Sequence, residues 1–214
     1  MDERLLDLLL PRACAGCLED LPPPFSGPLC GPCLLGLRAL PDPLPRRSLP
    51  SLDLGRAAFR YGGPLARLLH AFKYGGSRAA GRALGDWMAG AAGRQRALLR
   101  ADALVPVPLH PSKLRRRGFN QAELLARRLC GPLGAPVLGA LERRRATRPQ
   151  WTYPRAERKL RLLDAFRARE ERLRGRRLLL IDDVCTSGGT LEGCARELRR
   201  AGAAWVGAFV LARG

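Results

Sequence analysis

"RRLLLIDDVCTSGGT", from Arg176 to Thr190, decides how the rest of the chain is read. Three leucines and an isoleucine lead into two adjacent aspartates, after which the chain turns small, polar and glycine-rich. The apolar run has a strand's length and no polar alternation, so it belongs in the middle of a parallel sheet, buried on both faces. Asp182 and Asp183 then stand at the carboxyl end of that strand, where ligands of parallel sheets collect. Successive strand residues face opposite sides, so two aspartates in a row predict that the chain leaves the sheet at this point. Beyond them, Gly188 and Gly189 let backbone N–H groups converge, and Thr186, Ser187 and Thr190 add hydroxyls. The helix that follows offers its positive N-terminus. These parts make a cradle for a phosphate monoester, and acceptors just before it suit the hydroxyls of a ribose. The plainer alternative is a strand-to-helix turn with an aspartate-rich cap; the length and order of the stretch favour the cradle. A GxxxxGK[ST] loop for a nucleoside triphosphate and a GxGxxG dinucleotide loop are both absent.

Working outward, strands alternate with helices. "GRAAFRY" reads as a strand and "GPLARLLHAFKYGG" as a helix ending at Gly75 and Gly76. "SRAAGRALGDWMAGAAG" is a second helix with Ser77 as its N-cap. "ADALVPVPL" is a strand shortened by Pro106 and Pro108, "GFNQAELLARRLCG" a helix closed by Gly131, and "PVLGALERR" another strand. A helix from Thr190 to Ala201 and the strand "AAWVGAFVLA" end the chain. The pattern predicts an α/β fold with a mostly parallel sheet and helices on both faces.

The N-terminal part differs. Cys14 and Cys17 frame "CAGC", Cys30 and Cys33 frame "CGPC", and twelve residues separate the pairs. That layout suits four thiolates around one tetrahedral Zn²⁺, with no open position and hence a structural role. A short apolar helix from about Arg4 to Leu10 is expected beside it. "PDPLPRRSLP" cannot be regular structure because its prolines lack donors. The expected organisation is a four-cysteine zinc-knuckle module over residues 1–40, a proline-rich linker over 41–54, and an α/β domain over 55–214.

The chain carries 38 Lys+Arg against 19 Asp+Glu, a formal charge of +19, which implies a polyanionic ligand: nucleic acid, phosphorylated metabolites, or both. No apolar run approaches the roughly 18 residues of a membrane span, and the acidic start "MDERLLDLLL" is unlike a secretory signal. Paired cysteines then belong in a reducing compartment, so a cytoplasmic location is expected.

"LLLIDDVCTSGGT" resembles the phosphoribosyl-pyrophosphate (PRPP) signature of type I phosphoribosyltransferases: four apolar residues, two acids, and a hydroxyl–glycine loop ending in Thr. With the cysteine knuckle, "FKYGG", "VPVPL" and "RRRGFNQ" added, the chain resembles the ComF family, amidophosphoribosyltransferase-like proteins linked to DNA uptake and natural competence. The likeness runs from Cys14 to Leu211. It departs at Arg161, where such proteins usually have Asn three residues after the arginine at Arg158, and mildly at Ser187, where many have Thr. The resemblance implies a type I phosphoribosyltransferase-like fold in which Asp182 and Asp183 hold the ribose hydroxyls and Thr186, Ser187, Gly188, Gly189 and Thr190 hold the 5′-phosphate. It also implies Mg²⁺ accompanying PRPP.

The transfer such a site serves moves ribosyl C1 from pyrophosphate to a nitrogen nucleophile. It needs cations at the leaving group and no covalent nucleophile. "VPVPLHPSKLRRRGFNQ" supplies a pyrophosphate loop at a second strand end, with Lys113 and Arg117 as its candidate catalytic cations, beside His110, Ser112, Arg115 and Arg116. Asn120, the only asparagine, is either a ligand contact or a helix N-cap. Lys73 either reaches the site rim or complements a helix dipole. "RRRATRPQWTYPRAERK" reads either as a lid that excludes water or as a solvated basic loop; Thr147, Gln150 and Arg158 match family positions, Arg158 as a third catalytic candidate. Cys185 fills an ordinary apolar slot, His70 is a packing or surface residue, and the three tryptophans are too scattered for a base-stacking platform. Two functions follow. One is a PRPP-dependent transferase; the other is a non-catalytic, single-stranded-DNA-associated factor of the uptake machinery that keeps the phosphate loop for binding.

Overall fold

The computed structural model describes residues 12–21, 27–37, 43–143, 165–169 and 173–214. The expected helix near Arg4 and the lid stretch beyond Arg143, with Thr147, Gln150, Arg158 and Arg161, lie outside the described residues.

Four strands form one parallel sheet in the order β3-β8-β7-β4: β3 (Leu54–Arg60), β4 (Ala103–Pro106), β7 (Arg177–Cys185) and β8 (Trp205–Arg213). As its apolar run requires, β7 is central, with β8 and β4 hydrogen-bonded on either side. Its alternation sorts the core into two layers. Leu178 and Leu180 join Val206, Ala208 and Val210 on one face, under α6 (Gly189–Arg200). Leu179 and Ile181 join Phe209 and Leu211 on the other, under α2 (Gly63–Tyr74), α3 (Arg78–Gly93) and α5 (Gln121–Leu133). Burying each such leucine stabilises the fold by about 1.5–3 kcal/mol, so the sheet and its helices form together. Ser77 caps α3 as expected, accepting from the Ala80 N–H at 3.2 Å.

Several expectations need correction. The helix α5 does not close at Gly131; it runs through Gly131 and Pro132 to Leu133, and Gly134 in the left-handed region ends it. Leu129 and Leu133 are both buried, and continuing that apolar stripe carries the helix one more turn. The stretch after β4 is not all loop, because Pro111–Arg117 forms a short helix, α4, capped by the His110 ring. The strand expected in "PVLGALERR" is reduced to β5 (Leu141–Arg143), which pairs antiparallel with β6 (Phe166–Ala168) in a separate ribbon on α6. Finally, β7 does not leave the sheet at its aspartates. It stays paired with β8 as far as Cys185↔Arg213, while pairing with β4 ends at Pro106↔Ile181. From Asp182 onward one edge of β7 is open, so the aspartates need not leave the strand.

The described part of the proline-rich stretch, expected to hold no regular structure, forms one 3-10 turn at Arg46–Ser48 and is not loose. Leu44, Leu49 and Leu52 are buried in the α6-side core. Ser51 gives both its N–H and its hydroxyl to the buried Glu192, at 3.2 and 2.6 Å. Asp53 accepts from the Val206 N–H at 2.8 Å and pairs with Arg199.

In the N-terminal part, β1 (Arg12–Ala13) and β2 (Asp20–Leu21) pair antiparallel, and α1 (Gly31–Leu35) starts at the second cysteine pair. Cys14, Leu21 and Leu29 form a small core of their own that leans on Trp87 of α3. A Cβ on Gly16 would lie 2.7 Å from Cys33 Sγ and 3.0 Å from Pro64 Cβ. The first knuckle is therefore pressed between the second and the first turn of α2.

Candidate functional site

Asp182 and Asp183 sit where β7 outlasts β4, and alternation sends them to opposite faces of the sheet. Both are buried. A buried carboxylate needs a partner. On the α2 face, Lys73 at the end of that helix brings its ammonium to 2.9 Å from Asp183 Oδ2, an ion pair without hydrogen-bond geometry. Asp182 feels the charge of the same Lys73 and, after it, of Arg143, the last residue of β5. The Arg143 guanidinium is stacked over the Phe166 ring at 5.2 Å, on the strand paired with its own. Asp182 Oδ1 also accepts the N–H of Asp183 at 2.8 Å. Burial foremost, then the charge of Asp183, push Asp182 up to about 8, against the Asp183 N–H, Lys73 and Arg143. Asp182 is therefore largely protonated near neutral pH.

Past Cys185 the chain turns into α6 through Thr186 and Ser187, both exposed, and Gly188. Gly188 is the N-cap, left-handed at φ 79°, and no side chain caps the helix. A Cβ there would meet Leu49 Cδ2 at 2.8 Å as well as straining the backbone. The first N–H groups of α6 are consequently left for a ligand, beside two hydroxyl-bearing residues. Burial pushes Cys185 up to about 11 and also pushes up Cys194, on the same face as Asp182. Neither is a thiolate nucleophile, in keeping with the reading of Cys185.

The remaining cations come from α4. Desolvation first, then Arg143, Arg117, Arg116 and Lys73, push the Lys113 amine down, so these groups crowd one region. Arg117 donates to Gln121 Oε1 at 2.5 Å and lies over the Tyr74 ring at 5.3 Å, next to Lys73. Asn120 caps α5, accepting from the Ala122 N–H and donating to the Val107 carbonyl, both at 3.1 Å. Its amide thereby locks α5 to the end of β4. The structure brings Asp182, Asp183, Lys73, Lys113 and Arg117 to one end of the sheet, with residues 186–190 adjoining. Arg158 is outside the described residues. Arg143, the first residue of the stretch read as a lid, instead ends β5.

The four N-terminal cysteines form a second candidate centre. Their sulfurs lie within 4.8 Å of one another, and Cys17 Sγ is 3.7 Å from Cys30 Sγ. Four thiolates at about 2.3 Å from one Zn²⁺ would stand about 3.8 Å apart, so the set fits a tetrahedral ion. Cys14 Sγ accepts from the N–H groups of Gly16 at 3.3 Å and Cys30 at 3.2 Å. Burial raises Cys14, but these donors outweigh it and hold the thiol at about 6. Burial and the neighbouring thiols push Cys33 up to about 12. Without a cation the set cannot ionise together; with one it can.

A parallel sheet whose central strand ends in paired acids and a glycine-capped phosphate cradle defines a phosphoribosyl transferase-type domain, and the phosphoribosyl transferase domain family matches residues 114–214. Competence protein F of Haemophilus influenzae is 31% identical over 208 residues, covering 94% of this chain and 90% of that protein. DNA utilization protein YhgH of Salmonella typhimurium is 32% identical, covering 96% and 99%. Competence protein ComFC of Bacillus subtilis is 37% identical over 113 residues, covering 51% of this chain and 44% of that protein. The chain belongs to the competence protein F family.

Proposed function

We propose that the chain binds PRPP and is a phosphoribosyltransferase of the DNA-uptake system. One observation carries this reading. The uncapped, glycine-started N-terminus of α6 adjoins two buried acids, and Lys73 is paired with one of them. Residues Thr186, Ser187, Gly188, Gly189 and Thr190 take the 5′-phosphate, with backbone N–H groups and hydroxyls as donors. Asp182 and Asp183 accept from the ribose hydroxyls and fix the sugar. Lys73, Lys113, Arg117 and Arg158 face the pyrophosphate, whose negative charge grows as C1 departs, and so favour the transition state over the ground state. The pyrophosphate leaves with both electrons of the C1–O bond, and a nitrogen nucleophile completes the ring carbon's valence. Asn120 acts through α5, holding the loop that presents Lys113 and Arg117.

Lys73 already occupies Asp183, so the acids do not form a dedicated metal cage. That fits Mg²⁺ arriving on PRPP oxygens with most of its waters, where it would neutralise the diphosphate. Zn²⁺ is the ion proposed for the cysteine cluster, as a structural centre of the N-terminal module (residues 1–40), joined through 41–54 to the transferase domain (55–214).

The names of the relatives, competence and DNA utilization, support a place in DNA uptake, and the +19 charge supports contact with single-stranded DNA. No helix among the described residues is long and apolar enough to cross a membrane, and the proposed setting is the cytoplasm.

The deciding experiment is calorimetric titration with PRPP, with and without Mg²⁺. It is run on the wild type and on Asp182→Asn/Asp183→Asn, and followed by assay of pyrophosphate release with candidate amines and bases. Saturable, Mg²⁺-dependent binding lost in the double variant is the expected result. Equal affinity in the double variant removes the ribose assignment, and binding without release of pyrophosphate leaves the non-catalytic DNA-associated role.

A further inference from the structure

The stretch that joins the cysteine module to the sheet runs alongside α6, the helix whose N-terminus forms the phosphate cradle. Leu49, itself buried, lies against the N-cap of that helix. A Cβ on Gly188 would stand 2.8 Å from Leu49 Cδ2 and 3.2 Å from its Cγ, so the leucine covers the glycine's α-carbon at contact distance. Four residues on, the buried Glu192 carboxylate accepts the Ser51 N–H at 3.2 Å on one oxygen and the Ser51 hydroxyl at 2.6 Å on the other. Near the end of the helix, Arg199 donates to the Ser51 carbonyl at 3.4 Å and pairs with Asp53. Asp53 in turn accepts the Val206 N–H of β8 at 2.8 Å, which ties the stretch to the sheet. Gly188, Glu192 and Arg199 fall at helical spacing, so these contacts lie along one side of α6.

A phosphate at a helix N-terminus is held by backbone N–H groups, and these serve only while the first turn keeps its direction. No side chain caps α6, and its N-cap is a glycine at φ 79°, the residue type with the most freedom to lose on ordering. The restraint that the loop lacks in its own side chains comes from outside it. We propose that Leu49 is a positioning residue of the 5′-phosphate cradle, seating Gly188 from behind while Ser51 holds the same helix one turn further in. Its function rests on the PRPP reading, whereas the contact between Leu49 and Gly188 stands on the fold alone. The stretch between the cysteine module and the sheet is then part of the phosphate site and not a passive joint.

The test is calorimetric titration of PRPP–Mg²⁺ and of ribose 5-phosphate into the wild type, Leu49→Ala, Leu49→Met and Leu44→Ala. Leu44 and Leu49 are equally buried, at 2% exposure each, but Leu44 packs on Gly55 at the start of β3, where a Cβ would meet Leu44 Cβ at 2.9 Å. Leu44→Ala therefore measures what a lost core leucine does away from the cradle. Leu49→Ala is expected to weaken both ligands by the same factor, about tenfold, because both carry the 5′-phosphate. Leu49→Met should recover most of the loss, and Leu44→Ala should bind as the wild type does. Equal loss in Leu44→Ala would overturn the proposal, as a general loosening of the core. Unchanged affinity in Leu49→Ala would overturn it too, and so would a loss confined to PRPP, which would place the effect at the pyrophosphate. If Leu49→Ala does not fold, Leu49→Val, shorter than leucine by one carbon, replaces it in both measurements. The second measurement needs no ligand: urea unfolding of Gly188→Ala in the wild-type and Leu49→Ala backgrounds. The added methyl should cost less stability once the leucine is shortened; equal costs in both backgrounds would refute the contact. If the wild type binds neither ligand, the PRPP reading fails, and this cycle still decides whether Leu49 seats Gly188.

Discussion

Replacing Asp182 by asparagine should make the ligand-free protein more stable while removing its affinity for PRPP. The carboxyl is buried beside Asp183, and burial together with that neighbouring charge hold it at about 8, against 3.8 for an ordinary aspartate. A raised carboxyl favours its proton in the folded state. Its contribution is therefore fully present below about pH 4 and is lost as pH climbs from there through 8. At about 1.36 kcal/mol per unit, the difference sets a ceiling of roughly 6 kcal/mol for the destabilisation above pH 8. The surroundings relax when the charge forms, so about 2 kcal/mol is the figure to expect. Asparagine keeps the side-chain oxygen that accepts the Asp183 N–H at 2.8 Å and removes the charge. For a chain of this length, about 2 kcal/mol raises the melting temperature by roughly 4–8 °C. The assay is thermal unfolding of both proteins from pH 5 to pH 9. Groups common to both cancel, so the difference between them isolates Asp182. It should be small at pH 5 and grow toward pH 9. A variant less stable than the wild type at pH 9, or a difference that does not change with pH, would refute the reasoning.

The other predictions concern the elements that frame the site. Gly188→Ala puts a methyl 2.8 Å from Leu49 Cδ2 at a φ of 79°, so it should lose ribose 5-phosphate affinity at least tenfold and cost about 1–2 kcal/mol in urea unfolding. Cys30→Ser should release metal, measured by emission spectrometry, and expose Trp87 to quencher, because the cysteine core leans on that ring. Ser51→Ala removes a 2.6 Å hydrogen bond to the buried Glu192 and should cost about 1.5–3 kcal/mol in urea unfolding, with metal content unchanged. PRPP binding should tighten from pH 6 to pH 9 as Asp182 ionises, and titrations in buffers of different ionisation heat should show a proton released near neutrality.

What the sequence made legible were the features with their own local period or spacing. Four apolar residues followed by two acids and a glycine loop mark a central strand and its ligand end, because burial on both faces and a turn each demand particular residues there. The cysteine spacing is similarly local. The errors share a different cause. The aspartates stay in the strand because β4 stops at Pro106 while β8 continues to Arg213, and a comparison of neighbouring strand lengths is invisible from β7 itself. The proline-rich stretch was legible as irregular but not as buried, since Leu44, Leu49 and Leu52 have no period and acquire their burial from α6. Asn120 stood out because it is the only asparagine, and that scarcity marked a residue that the fold uses as a cap. Arg143 was read with the basic stretch that it opens, because in a chain this rich in arginine nothing marks it as the end of a strand that packs over Phe166. Rarity and local spacing can be read from one sequence, whereas the partner of a buried charge is set by which face of the sheet it occupies. Lys73 was legible as a candidate for the site rim, but its pairing with Asp183 was not.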